Sequence, residues 1–308
     1  MKYLTVNDVC SLWGVSQQFV RRLCKEGRIP GAEQTDDGWL IPEGTEKPGR
    51  KPRTQTTRKA PQPKSVLTPF AKRIVYQRTK NNHYGVYEYI QVNLTYSSNR
   101  MASNRLTRNE VEEVYRTNKI STSFEPVKVD DIIETINHFS AVKYIIDNIT
   151  APVSQALIKK LHRLLTYGTY ADRKEIIRSG EYRQEQSKIG VSPKDINSRI
   201  NALIKDYESQ AATLARILDF HVRFEKIHPF EDYNGRVGRL IMIKECLRYG
   251  IDPFIIDDKH RGSYNRGIAS WGGDRELLTS VALDAQKRFQ GKMEICKLFQ
   301  YARSPSTE

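Results

Sequence analysis

Apolar residues recur at spacings of three and four over most of the chain beyond residue 66. SQALIKKLHRLL (154–165), INSRINALIKDYES (196–209) and TLARILDFHVRFEKI (213–227) each gather them on one face, which predicts amphipathic helices. Long strand-like runs are scarce. Only SKIGVSP (187–193) alternates, weakly, and it predicts a short hairpin. The run GRVGRLIMIKECLRYG (235–250) differs from the other helices. Val237, Leu240, Ile241, Ile243 and Leu247 carry apolar character most of the way around it, so it reads as a helix central to a bundle. Gly250 and Pro253 end it.

Residues 1–45 follow another rhythm. Thr5 caps a short helix carrying Val9, Leu12 and Trp13, and Gly14 ends it. Ser16 caps a second helix, QQFVRRLCKE, closed by Gly27. Two short helices joined across WGVS match a helix-turn-helix. After GRIPG, a polar turn and GWLIP predict a two-stranded wing. Arg21, Arg22 and Lys25 project from the second helix, where a recognition helix meets DNA. Docking of a protein instead of DNA stays open, because Asp8, Glu26, Glu33, Asp36 and Asp37 dilute the basic face.

Between these regions, residues 46–65 read as a linker. KPGRKPRTQTTRKAPQPK (47–64) holds seven Lys or Arg, four Pro and no acid, a composition that cannot bury a core. It is a solvated spacer or a contact for phosphate backbones. Over all 308 residues, Lys and Arg outnumber Asp and Glu by 50 to 36, which points to an anionic partner. No apolar run approaches the roughly 18 residues of a membrane span, and MKYLTVNDVC lacks the apolar core of a signal peptide. Cys10, Cys24, Cys246 and Cys296 are scattered without metal or disulfide spacing. A reducing cytoplasm is the expected location.

The densest chemistry lies in HPFEDYNGRVGRL (228–240). Pro229 discourages the preceding helix from continuing through His228, and Phe230 anchors the turn in the core. Asn234 and Gly235 stand at the start of the buried helix, where free N–H groups and the helix dipole favour phosphate. Arg236 and Arg239, three residues apart, share a face and can grip further phosphate oxygens. Asp232 is placed to hold a Mg²⁺ ion bridging phosphates, since that ion takes one or two carboxylates plus substrate oxygens. His228 is placed to take a proton. Singly, each residue has an ordinary reading as a satisfied histidine, a helix cap or a solvated arginine. Their joint arrangement reads as a nucleotide site.

The run also resembles the Fic family motif, H-x-F-x-[D/E]-G-N-G-R-x-x-R, at every fixed position but one, where Tyr233 replaces the first glycine. GEYR (180–183), KIGVSP (188–193) and SYNRGIASWGGD (263–274) resemble further family segments, and the likeness spans residues 85–290. Residues 1–43 resemble the excisionase-like winged helix-turn-helix domains of bacterial regulators. These resemblances imply a mainly α protein: a Fic-type helical bundle over residues 66–308 with a small β-hairpin flap, preceded by a small winged helix-turn-helix domain. The implied activity is transfer of AMP from ATP, with Mg²⁺, to a Ser, Thr or Tyr hydroxyl of a protein, the chain itself included.

Within that implied activity, His228 deprotonates the hydroxyl, Asp232 holds Mg²⁺, and the N–H groups of Asn234 and Gly235 cradle the phosphates. Arg236 holds the β-phosphate region and Arg239 the γ-phosphate. Gly238 and Tyr264 belong to the nucleotide side, and Lys188, Ile189, Gly190 and Val191 form the flap that pins the target as an added strand. Upstream, SSNRMASNRLT (97–107) resembles the family's inhibitory helix, [S/T]-x-x-x-E-[G/N], whose glutamate pairs with the second motif arginine. Ser98 matches, Ala102 stands where the glutamate belongs, and Ser103 replaces Gly or Asn, so inhibition is expected to be relieved. The implied partners are ATP, a target protein, DNA through residues 1–64, and a second copy of the chain. Two alternatives remain: another transfer on the same fold (other nucleotidyl or phosphocholine transfer, phosphorylation, AMP removal), or a DNA-binding regulator that only senses nucleotide.

Overall fold

The computed structural model describes residues 2–48, 67–80, 84–121, 126–210 and 212–301, with only the backbone of 295–301. The linker expected at 46–65 therefore lies almost wholly outside the described residues. The chain divides into two compact units at residue 61, and each is described by itself.

In the first unit, β1 (Tyr3–Thr5) leads into α1 (Val6–Trp13), α2 (Gln17–Lys25) and the hairpin of β2 (Glu33–Thr35) and β3 (Gly38–Pro42). The antiparallel sheet runs β1-β3-β2, with Leu4 opposite Ile41 and Gln34 opposite Trp39. The caps are those the sequence predicts. Thr5 and Asp8 form a reciprocal capping box, Gly14 closes α1 in the left-handed conformation, and the Ser16 side chain accepts from Phe19 N–H. Val6, Val9, Val20, Leu23, Ile29 and Ile41 make the core. Leu12 is 68% exposed, and Val6 and Val9 are the residues that α1 buries.

The second unit is helical: α3 (Pro69–Thr79), α4 (Val86–Arg100), α5 (Arg108–Thr117), α6 (Val129–Asp147), α7 (Gln155–Thr166), α8 (Tyr170–Arg173), α9 (Pro193–Tyr207), α10 (Leu214–Ile227), α11 (Asn234–Tyr249), α12 (Arg261–Ser270) and α13 (Glu276–Tyr301). Central α11 packs against α10, α6, α4 and α7. It buries its charged residues Arg236, Arg239, Lys244 and Glu245 together with the apolar ones. At its far end the burial is made tolerable by pairing: Lys244 Nζ lies 2.6 Å from Glu245 Oε1, and Arg248 Nη1 lies 2.7 Å from Glu208 Oε1. No helix among the described residues is long and apolar enough to cross a membrane.

Residues 187–193 do not form the expected hairpin; they run as bends into α9. A guanidinium ties the end of this run to the residues ahead of it. Arg183 Nη1 donates to Glu185 O at 2.8 Å and Nη2 to Val191 O. Residues 97–107 are likewise not one helix. α4 ends at Arg100, a tight turn follows with Ser103 at φ +73°, and Thr107 already caps α5.

Candidate active site

α10 ends where His228 turns left-handed, at φ +51°. Phe230 then drops into the core, fully buried, its ring stacked on His162 at 3.8 Å between centroids. The Asn234 side chain closes the turn from the far side: its Oδ1 accepts from Phe230 N–H at 3.0 Å and its Nδ2 donates to Phe230 O at 2.9 Å. Asn234 thus spends its amide on the turn and leaves only its backbone N–H to an anion. The first-turn N–H groups of α11 have no intrahelical acceptor, so the helix start remains a place for a phosphate.

Tyr233 sits at φ +66°, the conformation that the family's glycine would adopt without strain. For tyrosine this costs about 1–2 kcal/mol. Burial of the ring, 4% exposed, offsets it by about 1.5–3 kcal/mol. Its hydroxyl also donates to Glu134 Oε1 at 2.8 Å, and the Arg236 guanidinium lies 3.4 Å over the ring.

The two arginines meet different surroundings. Arg236 Nη1 is 3.1 Å from Glu134 Oε1 and Nη2 is 3.6 Å from Asp232 Oδ2. Arg239 Nε donates to Ser98 Oγ at 3.0 Å and Nη2 to Ser98 O at 3.1 Å, an arrangement that the C-terminal dipole of α4 favours. Ser98 is fully buried, whereas Ala102 and Ser103 lie exposed in the turn beyond the helix. Gly235 runs close to two side-chain ends: a Cβ there would come 2.9 Å from Arg239 Nη1 and 3.2 Å from Glu225 Oε1. Gly238 is the close approach of α11 to α10, since a Cβ there would run into the His221 ring. Tyr264 is buried and hydrogen-bonded to His221 Nε2, its hydroxyl pushed up to about 12 by burial.

His228 is half-buried. Burial and the neighbouring Arg183 guanidinium hold its pKa below the usual histidine value, against the pull of Asp232 and the Glu225 backbone. Arg183 Nε donates to His228 O at 2.8 Å, and Val191 N–H donates to Ile227 O at 3.2 Å, which lays the 183–191 segment along this turn. Gly190, at φ +95°, passes so near that a Cβ would sit 2.6 Å from His228 Cβ. Lys188 and Ile189 point outward, exposed, while Val191 packs against the core. Asp232 is the open carboxylate, its side chain 63% exposed. Among the described residues no group of three or more His, Cys, Asp or Glu could enclose a metal. Asp232 is thus a single carboxylate, and a cation there would need its remaining ligands from a substrate and water.

Three residues went unread in the sequence. Arg183 steers the loop, Glu134 engages Arg236, and Glu225 lies beside Gly235, burial raising its pKa to about 6 against the pull of Arg239. Arg183 had a signal as the last residue of GEYR, and Glu225 had one in standing one helical turn before His228; Glu134 had none.

A family model described as Fic/DOC family matches residues 152–246, and one described as a helix-turn-helix domain matches residues 3–44. The chain carries a Fic/DOC domain. The curated protein adenylyltransferase Fic of Aedes aegypti is 28% identical over 164 residues, covering 50% of this chain and 32% of that protein. The protein of the same name from Nematostella vectensis is 29% identical over 116 residues, or 34% and 27% of the two chains. The chain thus spans about a third of the length of the curated relatives it matches. Among solved structures, a Fic domain containing signaling protein from Bacteroides thetaiotaomicron superposes with a TM-score of 0.59 at 18% identity, covering 80% of this chain and 95% of that one. Fic-1 of C. elegans gives 0.58 at 18% identity, covering 73% and 72%. Such likenesses show the Fic fold of the helical unit. In unit 1, Arg21, Arg22 and Lys25 are all exposed on α2 of the helix-turn-helix domain, with Glu26 only 3.8 Å from Arg22.

Proposed function

We propose that the Fic domain transfers AMP from ATP to a Ser, Thr or Tyr hydroxyl of a protein, and that the chain modifies itself. The observation that carries this reading is the placement of His228: a histidine of lowered pKa, hence neutral and basic at pH 7, on the turn that opens onto the unpaired N–H groups of α11. His228 takes the hydroxyl proton as the oxygen bonds the α-phosphorus, and the bridging P–O bond to the β-phosphate breaks, releasing pyrophosphate. The Asn234 and Gly235 N–H groups and Arg239 hold the phosphates, so positioning and charge neutralisation supply most of the catalysis. A Mg²⁺ ion at Asp232 would neutralise phosphate charge when bound. The exposed run 188–190 offers backbone carbonyls on which a target segment can lie, with Val191 anchoring it to the core. Unit 1 is read as a DNA-binding module through Arg21, Arg22 and Lys25.

Incubation with ATP labelled at either the α- or the γ-phosphate tests the chemistry. Label on protein from the α-position alone supports AMP transfer, whereas label from the γ-position supports phosphorylation on the same fold.

A further inference from the structure

The chain departs from the family motif at Tyr233, and the structure answers that departure with a carboxylate from another helix. Glu134 of α6 accepts from Tyr233 Oη through Oε1 at 2.8 Å and from Asn104 Nδ2 through Oε2 at 3.2 Å. The same Oε1 lies 3.1 Å from Arg236 Nη1. With the tyrosine ring 3.4 Å beneath it and Asp232 3.6 Å away, the Arg236 guanidinium is shared between two carboxylates and one aromatic face, and its side chain is only 4% exposed. Yet among the described residues Nη1 has no partner in hydrogen-bonding geometry. Glu134 holds it by charge, and the N–H bonds remain unspent. Arg239, three residues on, rests on a serine and takes part in no ion pair among the described residues.

Resting on the nucleotide reading above, we infer that Glu134, oriented by Tyr233, is a positioning residue that sets how strongly the site rewards phosphates beyond the first. A nucleotide tail can gain Arg236 only by displacing Glu134, so the pair opposes ATP and ADP and leaves AMP, which has no such tail, indifferent. Charge decides the direction. A guanidinium already flanked by two carboxylates attracts a polyphosphate far less than a free one. Glu134→Gln removes the competing charge and keeps one acceptor oxygen for Tyr233, while Asn104 Nδ2 retains its bond to Asp131 O.

Calorimetry with ATP, ADP and AMP, each in the presence of Mg²⁺, tests this on the full chain. Glu134→Gln is expected to tighten ATP and ADP about tenfold, equivalent to about 1.4 kcal/mol, and to leave AMP within about twofold. Glu134→Gln with Arg236→Ala should return ATP to the wild-type affinity. Tyr233→Phe, which frees Glu134 from one hydrogen bond, should move ATP the same way by about threefold, and it serves if the first variant fails to fold. Unchanged or weaker ATP binding by Glu134→Gln, in a protein whose ATP binding still depends on Arg239, overturns the inference alone. An absence of ATP binding in both the wild type and Glu134→Gln overturns the nucleotide reading with it.

Discussion

Arg236 and Arg239 carry the same charge on the same helix, one turn apart, and the protein treats them in opposite ways. Arg239 lies against the neutral C-terminal end of α4, where Ser98 offers a hydroxyl and a carbonyl. Arg236 lies among Glu134, Asp232 and the Tyr233 ring. A guanidinium held by dipoles keeps its charge for a ligand, whereas one held by carboxylates has largely spent it. Two arginines of one motif thus rest in different surroundings, and on the proposed function that difference predicts unequal shares in holding phosphate.

The sharpest way to break this contrast is to remove each arginine in turn. Arg239→Ala is expected to weaken ATP by about 10–100-fold, the loss of a charge-assisted contact of about 1.5–3 kcal/mol. Arg236→Ala should change ATP affinity far less and lower stability instead, because Glu134 loses its counter-charge. Calorimetry and thermal melting of the two variants check this, and equal losses of ATP affinity would erase the distinction. A smaller effect is expected from Ala102→Glu, which offers Arg239 a second carboxylate beside Glu225. Because position 102 lies exposed in the turn after α4, the pair is worth no more than about 1 kcal/mol, and self-labelling should fall up to about fivefold. Ala102→Glu with Arg239→Ala should show no loss beyond Arg239→Ala alone. Equal rates for wild type and Ala102→Glu would mean that residues 98–103 do not act on Arg239.

The smallest expected effect concerns pH. The pKa of His228 is lowered by burial and by Arg183, so its neutral, basic form persists as pH falls to the ordinary histidine value of 6.5 and is lost only below it. The transfer rate should therefore be flat above pH 6.5 and decline on the acid side. Arg183→Gln removes one lowering charge and should move that limb upward. A limb that stays in place in this variant would show that Arg183 acts on the loop alone.

Much of this was legible along the chain because it depends on near neighbours. The Thr5–Asp8 box, the Gly14 stop, the Ser16 cap, the turn at Pro229 and the buried helix after Asn234 are all written within a few residues of where they act. What surrounds the arginines is not. Ser98 and Arg239 are 141 positions apart, and Glu134 and Tyr233 are 99 apart, and no local periodicity reports such a meeting. The run expected to form a hairpin at 187–193 is likewise met from outside, since Arg183 captures the Val191 carbonyl. The helix expected through residues 97–107 gave way to a turn because Asn104 accepts from Leu106 N–H and donates to Asp131 O, contacts that compete with helical ones. The motif places Gly238 on the nucleotide side but carries no sign of the ring it packs against. In three dimensions it faces His221.

The central claim is that His228 acts as the base for transfer from ATP bound at the start of α11. Its most direct test is the initial rate of label transfer from α-labelled ATP to the protein, wild type against His228→Ala, with ATP affinity measured for both. The expected result is a loss of about 10²–10⁴-fold in rate with affinity unchanged within about threefold, since the α11 N–H groups and Arg239 remain in place. Transfer by His228→Ala at the wild-type rate would contradict the claim.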